Sequence, residues 1–150
     1  MIDGVVISRP KVFADQRGST MRMLRIDDPH FVEFGEVYFS TVKPGAVKGW
    51  KRHREMTMTL AAPIGRVLLV LYDDRPASST RNEVQEIELG PHDYKVITIP
   101  PMLWNAFMGL GDSPSILTNC ASIPHRSDEA DGRDVDDPAI PYCWPDPSAR

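Results

Sequence analysis

Long hydrophobic runs are missing from the sequence. No apolar stretch approaches the roughly 20 residues that a membrane-spanning helix needs, so no membrane partner is expected. The first residues, Met1 to Ser8, also lack a basic segment followed by an apolar one, which is the pattern of a secretory signal. We therefore expect a cytoplasmic protein.

Cysteine is scarce, with only Cys120 and Cys143 in the chain. Two cysteines cannot build a disulfide framework, and no CxxC spacing indicates a zinc site. We expect two reduced thiols, as is usual in the cytoplasm. The alternative is a single disulfide between the two, which would join the end of the folded core to the C-terminal tail.

An excess of positive charge is missing too, since the formal net charge is −4. Generic nucleic-acid binding needs many cationic side chains to neutralise phosphates, so no nucleic-acid partner is expected. A small local basic site for a phosphorylated ligand remains compatible with this charge balance. The length of 150 residues predicts a single domain.

Short strand-like segments separated by turn signals make up most of the sequence, which is typical of an all-β sandwich or barrel. The predicted strands are 36–43, 47–59, 67–72, 83–89, 94–99 and 115–119. The segment 67–72 is apolar throughout, which predicts a strand buried on both faces. The barrel is expected to span about residues 12–123. The remainder, 124–150, is rich in Asp, Pro and Arg and predicts an irregular tail that packs back only through Ile140, Tyr142 and Trp144.

Two segments have the residue spacing of the two cupin motifs. The first falls on Gly45, Lys51, His53, Met58 and Gly65, and the second on Pro100, Met102, Asn105 and Gly109. In the metal-binding cupins that these motifs resemble, the middle positions carry the metal ligands, and here His53 alone remains. A divalent metal needs three or more convergent N or O ligands, so a metal-free site is expected.

Five local motifs follow one another along the chain: Asp15-Gln16-Arg17-Gly18, Lys48-Gly49-Trp50, the turn 72–80, the segment 99–107, and Pro141-Tyr142-Cys143-Trp144. Together they resemble the dTDP-4-dehydrorhamnose 3,5-epimerase family, over roughly residues 12 to 145. The resemblance implies a cupin-type double-stranded β-helix, a jelly-roll barrel. It implies a homodimer that needs no cofactor and isomerises a nucleotide-activated 4-keto-6-deoxy sugar at C3, C5 or both.

The chain departs from this family at the family's catalytic positions. Lys51 stands where the family has the histidine that removes the proton. Thr118 falls where the family has the tyrosine that acts as the acid. Asn105 replaces a further histidine, and Met58 lies near the position of a family lysine. The chain therefore resembles a divergent branch. Two alternative functions stay open, a non-catalytic cupin that binds sugar nucleotides and a 3,4-ketoisomerase.

Lys51 and His53 are the predicted catalytic pair. Residues i and i+2 of a strand share a face, and in the cupin register that face is the barrel interior. A histidine beside an ammonium group in a partly desolvated cavity is expected to be neutral near pH 7. It can then accept a proton from a carbon acid while the ammonium stabilises the enolate oxygen. The alternative is a hydrogen-bonded interior His53 and a Lys51 that neutralises a ligand phosphate.

The other candidates are phosphate-binding, aromatic and hydroxyl side chains. Arg17 and Lys48 are predicted to contact a pyrophosphate, since the planar guanidinium of Arg donates two hydrogen bonds at once. A surface salt bridge is the alternative for Arg17. Trp50 is predicted to stack on the nucleotide base or on the sugar, and burial in the core is the alternative. Tyr38 is the predicted acid. The remaining predicted substrate contacts are Asn105, Thr118 and Asn119.

Overall fold

The computed structural model describes residues 1–146, and this part of the chain consists of strands and loops. The strands are β1 (Val6–Ser8), β2 (Val12–Asp15), β3 (Gly18–Met21), β4 (Glu36–Val42), β5 (Val47–His53), β6 (Met58–Ile64), β7 (Arg66–Tyr72), β8 (Val84–Leu89), β9 (Val96–Ile99), β10 (Trp104–Leu110), β11 (Ser115–Ala121) and β12 (Ala130–Gly132). Within these residues no helix is long and apolar enough to cross a membrane.

Ten of the strands form two five-stranded sheets that enclose the core. Sheet 1 has the order β1-β9-β6-β11-β4, sheet 2 has the order β12-β5-β10-β7-β8, and β2 pairs with β3 in a separate hairpin. All strand pairs are antiparallel. The predicted cupin-type jelly-roll barrel in a single domain is confirmed. β1 and β12 lie outside the predicted barrel limits of 12–123, and each adds an edge strand to one sheet.

Strand β7 is buried on both faces, as its unbroken apolar sequence predicts. Successive side chains of a strand point to opposite faces, so Val67, Leu69 and Leu71 belong to the core between the sheets. Leu68, Val70 and Tyr72 belong to a second cluster on the outer face of sheet 2. A strand that is covered on both sides needs a layer over its outer face, and the tail supplies that layer.

The tail is partly as predicted and partly not. Ile140, Tyr142 and Trp144 do pack on the outer cluster of sheet 2. The tail is not merely irregular, because β12 pairs with β5. It also inserts the side chain of Glu129, which is 2% exposed. The prediction that only three apolar residues anchor the tail is therefore wrong.

The predicted set of strands differs from the structure at two places. The single predicted strand 47–59 is split into β5 and β6, which lie in different sheets. The polar turn between them, which contains Arg54 and Glu55, carries the chain from one sheet to the other. β10 was not predicted, although it forms the centre of sheet 2.

The motif 72–80 has a structural role. Asp73 is completely buried and accepts hydrogen bonds from the side chains of Arg75, Ser78 and Thr80. Burial alone would raise the pKa of Asp73, but these hydrogen bonds outweigh it and lower the pKa well below the usual range. The turn after β7 is thus fixed by an ionised carboxylate, and it makes no contact with the cavity described below.

Trp50 shows how the tail contributes to the stability of the fold. It is 1% exposed on the outer face of sheet 2, where its ring contacts Tyr142 and Trp144. Trp50→Ala should lower the free energy of unfolding by about 3 to 5 kcal/mol, as is usual for a buried tryptophan. Urea unfolding followed by circular dichroism measures this. Phe13→Ala, at an exposed position of the β2–β3 hairpin, is the control, and an equal effect in both variants would contradict the assignment.

Candidate active site

A cavity of about 210 Å³ opens between the two sheets. It is lined by residues of five strands, β4, β5, β6, β10 and β11. They are Tyr38, Ser40, Lys48, Gly49, Lys51, His53, Met58, Leu60, Asn105, Phe107, Leu117 and Asn119. One part of the lining is polar and carries nitrogen and hydroxyl groups, whereas Met58, Leu60, Phe107 and Leu117 make the rest apolar. Within residues 1–146 no three His, Cys, Asp or Glu side chains converge as a metal site would require.

The two lysines reach the same cavity although they are three residues apart. Lys51 pairs with Asn105 and Lys48 with Phe107, so the register between β5 and β10 shifts by one residue. Such a bulge changes the face to which the following side chains point. Gly49 makes the shift possible, since its φ is +130° and a Cβ there would lie 2.5 Å from the Cβ of Ala106.

His53 forms a buried pair with Glu129 of the tail. The Nδ1 atom of His53 lies 2.5 Å from Oε2 of Glu129. The other carboxylate oxygen, Oε1, accepts hydrogen bonds of 2.9 Å from the backbone N–H groups of Glu55 and Met56. These three hydrogen bonds hold both oxygens of the carboxylate and fix its orientation.

The carboxylate of Glu129 stays ionised in this environment. Burial alone would raise the pKa of Glu129. Hydrogen bonds from His53 and from the N–H groups of Glu55 and Met56 outweigh burial and lower the pKa from 4.5 to about 2. An ionised carboxylate only accepts hydrogen bonds, so Nδ1 of His53 carries a proton. This leaves Nε2 as the ring nitrogen that can serve a ligand in the cavity.

Tyr38 faces the cavity from β4 and is bonded to Asn119 of β11. The Nδ2 group of Asn119 donates to the phenolic oxygen over 2.8 Å. Burial raises the pKa of Tyr38 above its usual 10, and the hydrogen bond from Asn119 opposes that rise. The negative charges of Glu36 and Glu129 raise the pKa further. The phenol therefore holds its proton at neutral pH and is a potential acid.

The other polar groups of the cavity are held mostly by backbone atoms. Nδ2 of Asn105 donates to the carbonyl oxygen of Lys51 over 2.8 Å, and Nζ of Lys48 donates to the carbonyl oxygen of Thr41 over 3.1 Å. Lys51 forms no ion pair with any residue of the described chain, so its ammonium is available to a ligand.

Six of the nine predicted site residues line this one cavity: His53, Lys51, Tyr38, Lys48, Asn105 and Asn119. Trp50 does not, because side chains alternate along β5 and it lies on the outer face with the tail. Thr118 does not either, since its neighbours Leu117 and Asn119 face the cavity and Thr118 therefore faces the other side of sheet 1. These two predicted contacts are corrected.

Arg17 lies outside the cavity as well. It sits at the tip of the β2–β3 hairpin with 84% of its side chain exposed, and it forms a 2.7 Å ion pair with Asp15. The surface salt bridge that the sequence left open as an alternative is the one observed. Arg17 takes no part in the lining of this cavity, and its contact with a pyrophosphate stays a prediction.

Glu129 is the residue of this site that the sequence did not indicate. It lies in a segment crowded with acidic residues, where no spacing distinguishes it from Asp128 or Asp131. Its partner lies 76 positions away, so no local periodicity could link them. The one hint in the sequence was that His53, predicted to face the barrel interior, had no assigned hydrogen-bond partner.

The chain is similar to known proteins over its whole length. The family model described as dTDP-4-dehydrorhamnose 3,5-epimerase matches residues 1–150. The probable low-salt glycan biosynthesis epimerase Agl13 of Haloferax volcanii is 35% identical over 143 residues, which cover 94% of this chain and 88% of that protein. The spore coat polysaccharide biosynthesis protein SpsL of Bacillus subtilis is 27% identical, covering 96% of this chain and 97% of that protein.

Among solved structures, a dTDP sugar isomerase from Desulfovibrio desulfuricans G20 superposes with a TM-score of 0.95 at 40% identity. The match covers 99% of this chain and 97% of the other. Both the barrel and the tail with Glu129 are therefore included in the similarity.

The pair of His53 and Glu129 makes stability depend on pH. The pKa of Glu129 in the folded protein, about 2, lies below its ordinary value of 4.5. Its ionised form thus stabilises the fold fully above about pH 5, and this contribution, on the order of 2 kcal/mol, is lost as the pH falls towards 2. Urea unfolding between about pH 3 and 7 should show a steeper loss for the unmodified protein than for Glu129→Gln.

Glu33→Gln is the matched control for this experiment, because Glu33 is exposed. It should keep the pH dependence of the unmodified protein. Identical slopes for Glu129→Gln and the unmodified protein would contradict the described role of the carboxylate.

Proposed function

The chain belongs to the dTDP-4-dehydrorhamnose 3,5-epimerase family, and we propose that it epimerises a nucleotide-activated 4-keto-6-deoxy sugar at C3, C5 or both. The observation that carries this proposal is the buried pair of His53 and Glu129 in the wall of a cavity that also holds a phenol and two lysines. Action as an epimerase on nucleotide sugars accords with the family and the relatives.

His53 is the proposed base. Its Nε2 atom removes the proton from the carbon next to the C4 ketone, and the electrons of the C–H bond pass to the carbonyl oxygen as an enolate. The imidazolium that forms is stabilised by the carboxylate of Glu129, as in other histidine–carboxylate pairs. The ketone itself acidifies the C–H bond, so the step requires no cofactor.

Lys51 and Tyr38 complete the proposed reaction. The ammonium of Lys51 stabilises the negative charge on the enolate oxygen, which is the charge that develops in the transition state. Tyr38 returns a proton to the carbon from the opposite face, and this inverts the configuration. The phenolate then regains a proton from solvent, and His53 releases the one it took.

The size and lining of the cavity support a sugar as the enclosed group. Its volume of about 210 Å³ is below the range of roughly 300 to 1,000 Å³ that is usual for whole-ligand sites. The sugar would occupy the cavity, with its 6-methyl group against Met58 and Leu60. The diphosphate would lie at the opening near Lys48, whose ammonium suits a phosphate as a point charge. Since the family description and the similar isomerase name dTDP sugars, a dTDP-linked sugar is the first substrate to test.

Proton exchange tests this function directly. A dTDP-4-keto-6-deoxyhexose is incubated with the protein in D₂O and followed by NMR. Deuterium should enter C3, C5 or both with the unmodified protein, and His53→Asn should slow this by about 100-fold or more, as expected for a lost general base. His92→Asn, which changes an exposed histidine in a turn, is the matched control and should exchange normally.

Each other outcome has a definite meaning. Exchange that survives in His53→Asn would place the base elsewhere. Migration of the carbonyl from C4 to C3 would identify a 3,4-ketoisomerase. Tight binding of the sugar nucleotide without any exchange would identify a non-catalytic binding cupin and contradict the proposal.

We also propose that the protein acts as a homodimer in the cytoplasm. β4 is an edge strand of sheet 1, and unprotected edge strands with apolar side chains favour pairing with another chain. Phe39 on this strand is 68% exposed, and Val32, Phe34 and Val37 beside it are exposed too. Both cysteines are free thiols, which supports a reducing compartment.

The mass in solution checks the dimer. Light scattering after gel filtration should give twice the chain mass of 16.8 kDa for the unmodified protein. Phe39→Asp should shift the protein towards monomer because it places a charge in the proposed interface. Val135→Asp, an exposed apolar position of the tail, should leave the dimer intact, and a monomeric unmodified protein would contradict the proposal.

A further inference from the structure

The amide of Asn119 is buried beside the candidate acid and has a single polar contact. Asn119 lies directly opposite Tyr38 in the register of β11 and β4, so the two side chains share the face that lines the cavity. Its Nδ2 group donates to the Tyr38 oxygen over 2.8 Å. Its Oδ1 atom is buried and has no hydrogen-bond partner among the described residues.

This arrangement is poorly explained by stability alone. A buried polar atom without a partner costs about 1 to 3 kcal/mol, and an apolar side chain of similar size would avoid that cost. Within residues 1–146 the Asn119 side chain hydrogen-bonds to Tyr38 alone, so it adds no hydrogen bond to the sheet itself. An amide kept at such a position for one contact indicates that the contact itself has a role.

The direction of the hydrogen bond determines where the phenolic proton points. A phenol has one O–H donor and accepts through its lone pairs. Because Nδ2 donates to the oxygen, the O–H of Tyr38 cannot point at Asn119. The opposite orientation of the amide would leave Nδ2 as the buried, unpaired group, and unpaired buried N–H groups are rarer than unpaired carbonyl oxygens.

We propose that Asn119 is a positioning residue that directs the hydroxyl proton of Tyr38 into the cavity, so that inversion at the substrate carbon depends on it. This inference rests on the function proposed above. His53, which removes the proton, lies on another strand, β5, and its step does not involve Asn119. Loss of Asn119 therefore affects the return of the proton from the Tyr38 side and leaves its removal intact.

The two half-reactions can be measured separately in D₂O. When His53 both removes the proton and returns a deuteron, the substrate carbon is deuterated without inversion. When the deuteron comes from the Tyr38 side, the configuration at that carbon is inverted. Asn119→Asp replaces the donor by an acceptor of the same shape and should turn the phenolic proton towards itself. We expect inversion to slow on the order of 10- to 100-fold, as for a misplaced reacting group, while exchange without inversion changes less than about threefold.

A matched control uses a second Tyr–Asn pair. The hydroxyl of Tyr72 donates to Oδ1 of Asn82 over 3.5 Å, outside the cavity. Asn82→Asp makes the same substitution there but keeps the acceptor, so it controls for an added carboxylate and should leave both rates as they are. Asn119→Leu, which removes the donor without adding a charge, guards against an effect of the new carboxylate, and thermal unfolding shows that each variant is folded.

The double variant decides whether Asn119 acts through Tyr38. Tyr38→Phe should slow inversion, and adding Asn119→Asp to it should slow inversion no further, because the group to be positioned is already absent. A further loss in the double variant, or an equal fall of exchange and inversion in Asn119→Asp, would overturn the inference while leaving the epimerase function standing. Absence of exchange in the unmodified protein would instead overturn the proposed function, and the inference with it.

Discussion

The carboxylate of Glu129 joins three parts of the molecule that are distant in sequence. It holds the imidazole of His53, it satisfies the N–H groups of Glu55 and Met56 in the turn after β5, and it ties the start of the tail to sheet 2. Without it the buried N–H of Met56 would be left unpaired, at a cost of about 1 to 3 kcal/mol. The same contact therefore fixes the turn that carries the chain between the sheets and orients the proposed base.

Because the tail is anchored in this way, the two faces of sheet 2 have different roles. The tail covers the outer face, where Trp50 and Trp104 are buried, so that face needs no ligand or partner to exclude water. The inner face is free to line a cavity, and the bulge at Gly49 brings both Lys48 and Lys51 to it. Both ammonium groups therefore serve the cavity, and Nζ of Lys48 reaches across to the carbonyl oxygen of Thr41 on β4.

The fold and most of the cavity could be predicted from the sequence because they depend on local patterns. The apolar segment 67–72 indicated a doubly buried strand, and the spacing of Lys51 and His53 placed both on one face. Trp50 and Thr118 were misplaced because each directly adjoins a residue that faces the cavity, and the alternation of side chains along a strand sends it to the opposite face. Glu129 was missed since its contact with His53 spans 76 positions and nothing nearby marks it among the acidic residues of the tail.

The tautomer of His53 tests the central claim most directly, and ¹⁵N NMR of the imidazole nitrogens measures it. The structure predicts that the neutral ring carries its proton on Nδ1, held by Glu129, with Nε2 unprotonated and available to a substrate. Glu129→Gln should weaken this preference, because the carboxylate that accepts the hydrogen bond is gone. A neutral ring that is protonated on Nε2 in the unmodified protein would contradict the account, since the nitrogen facing the substrate would then be unable to accept a proton.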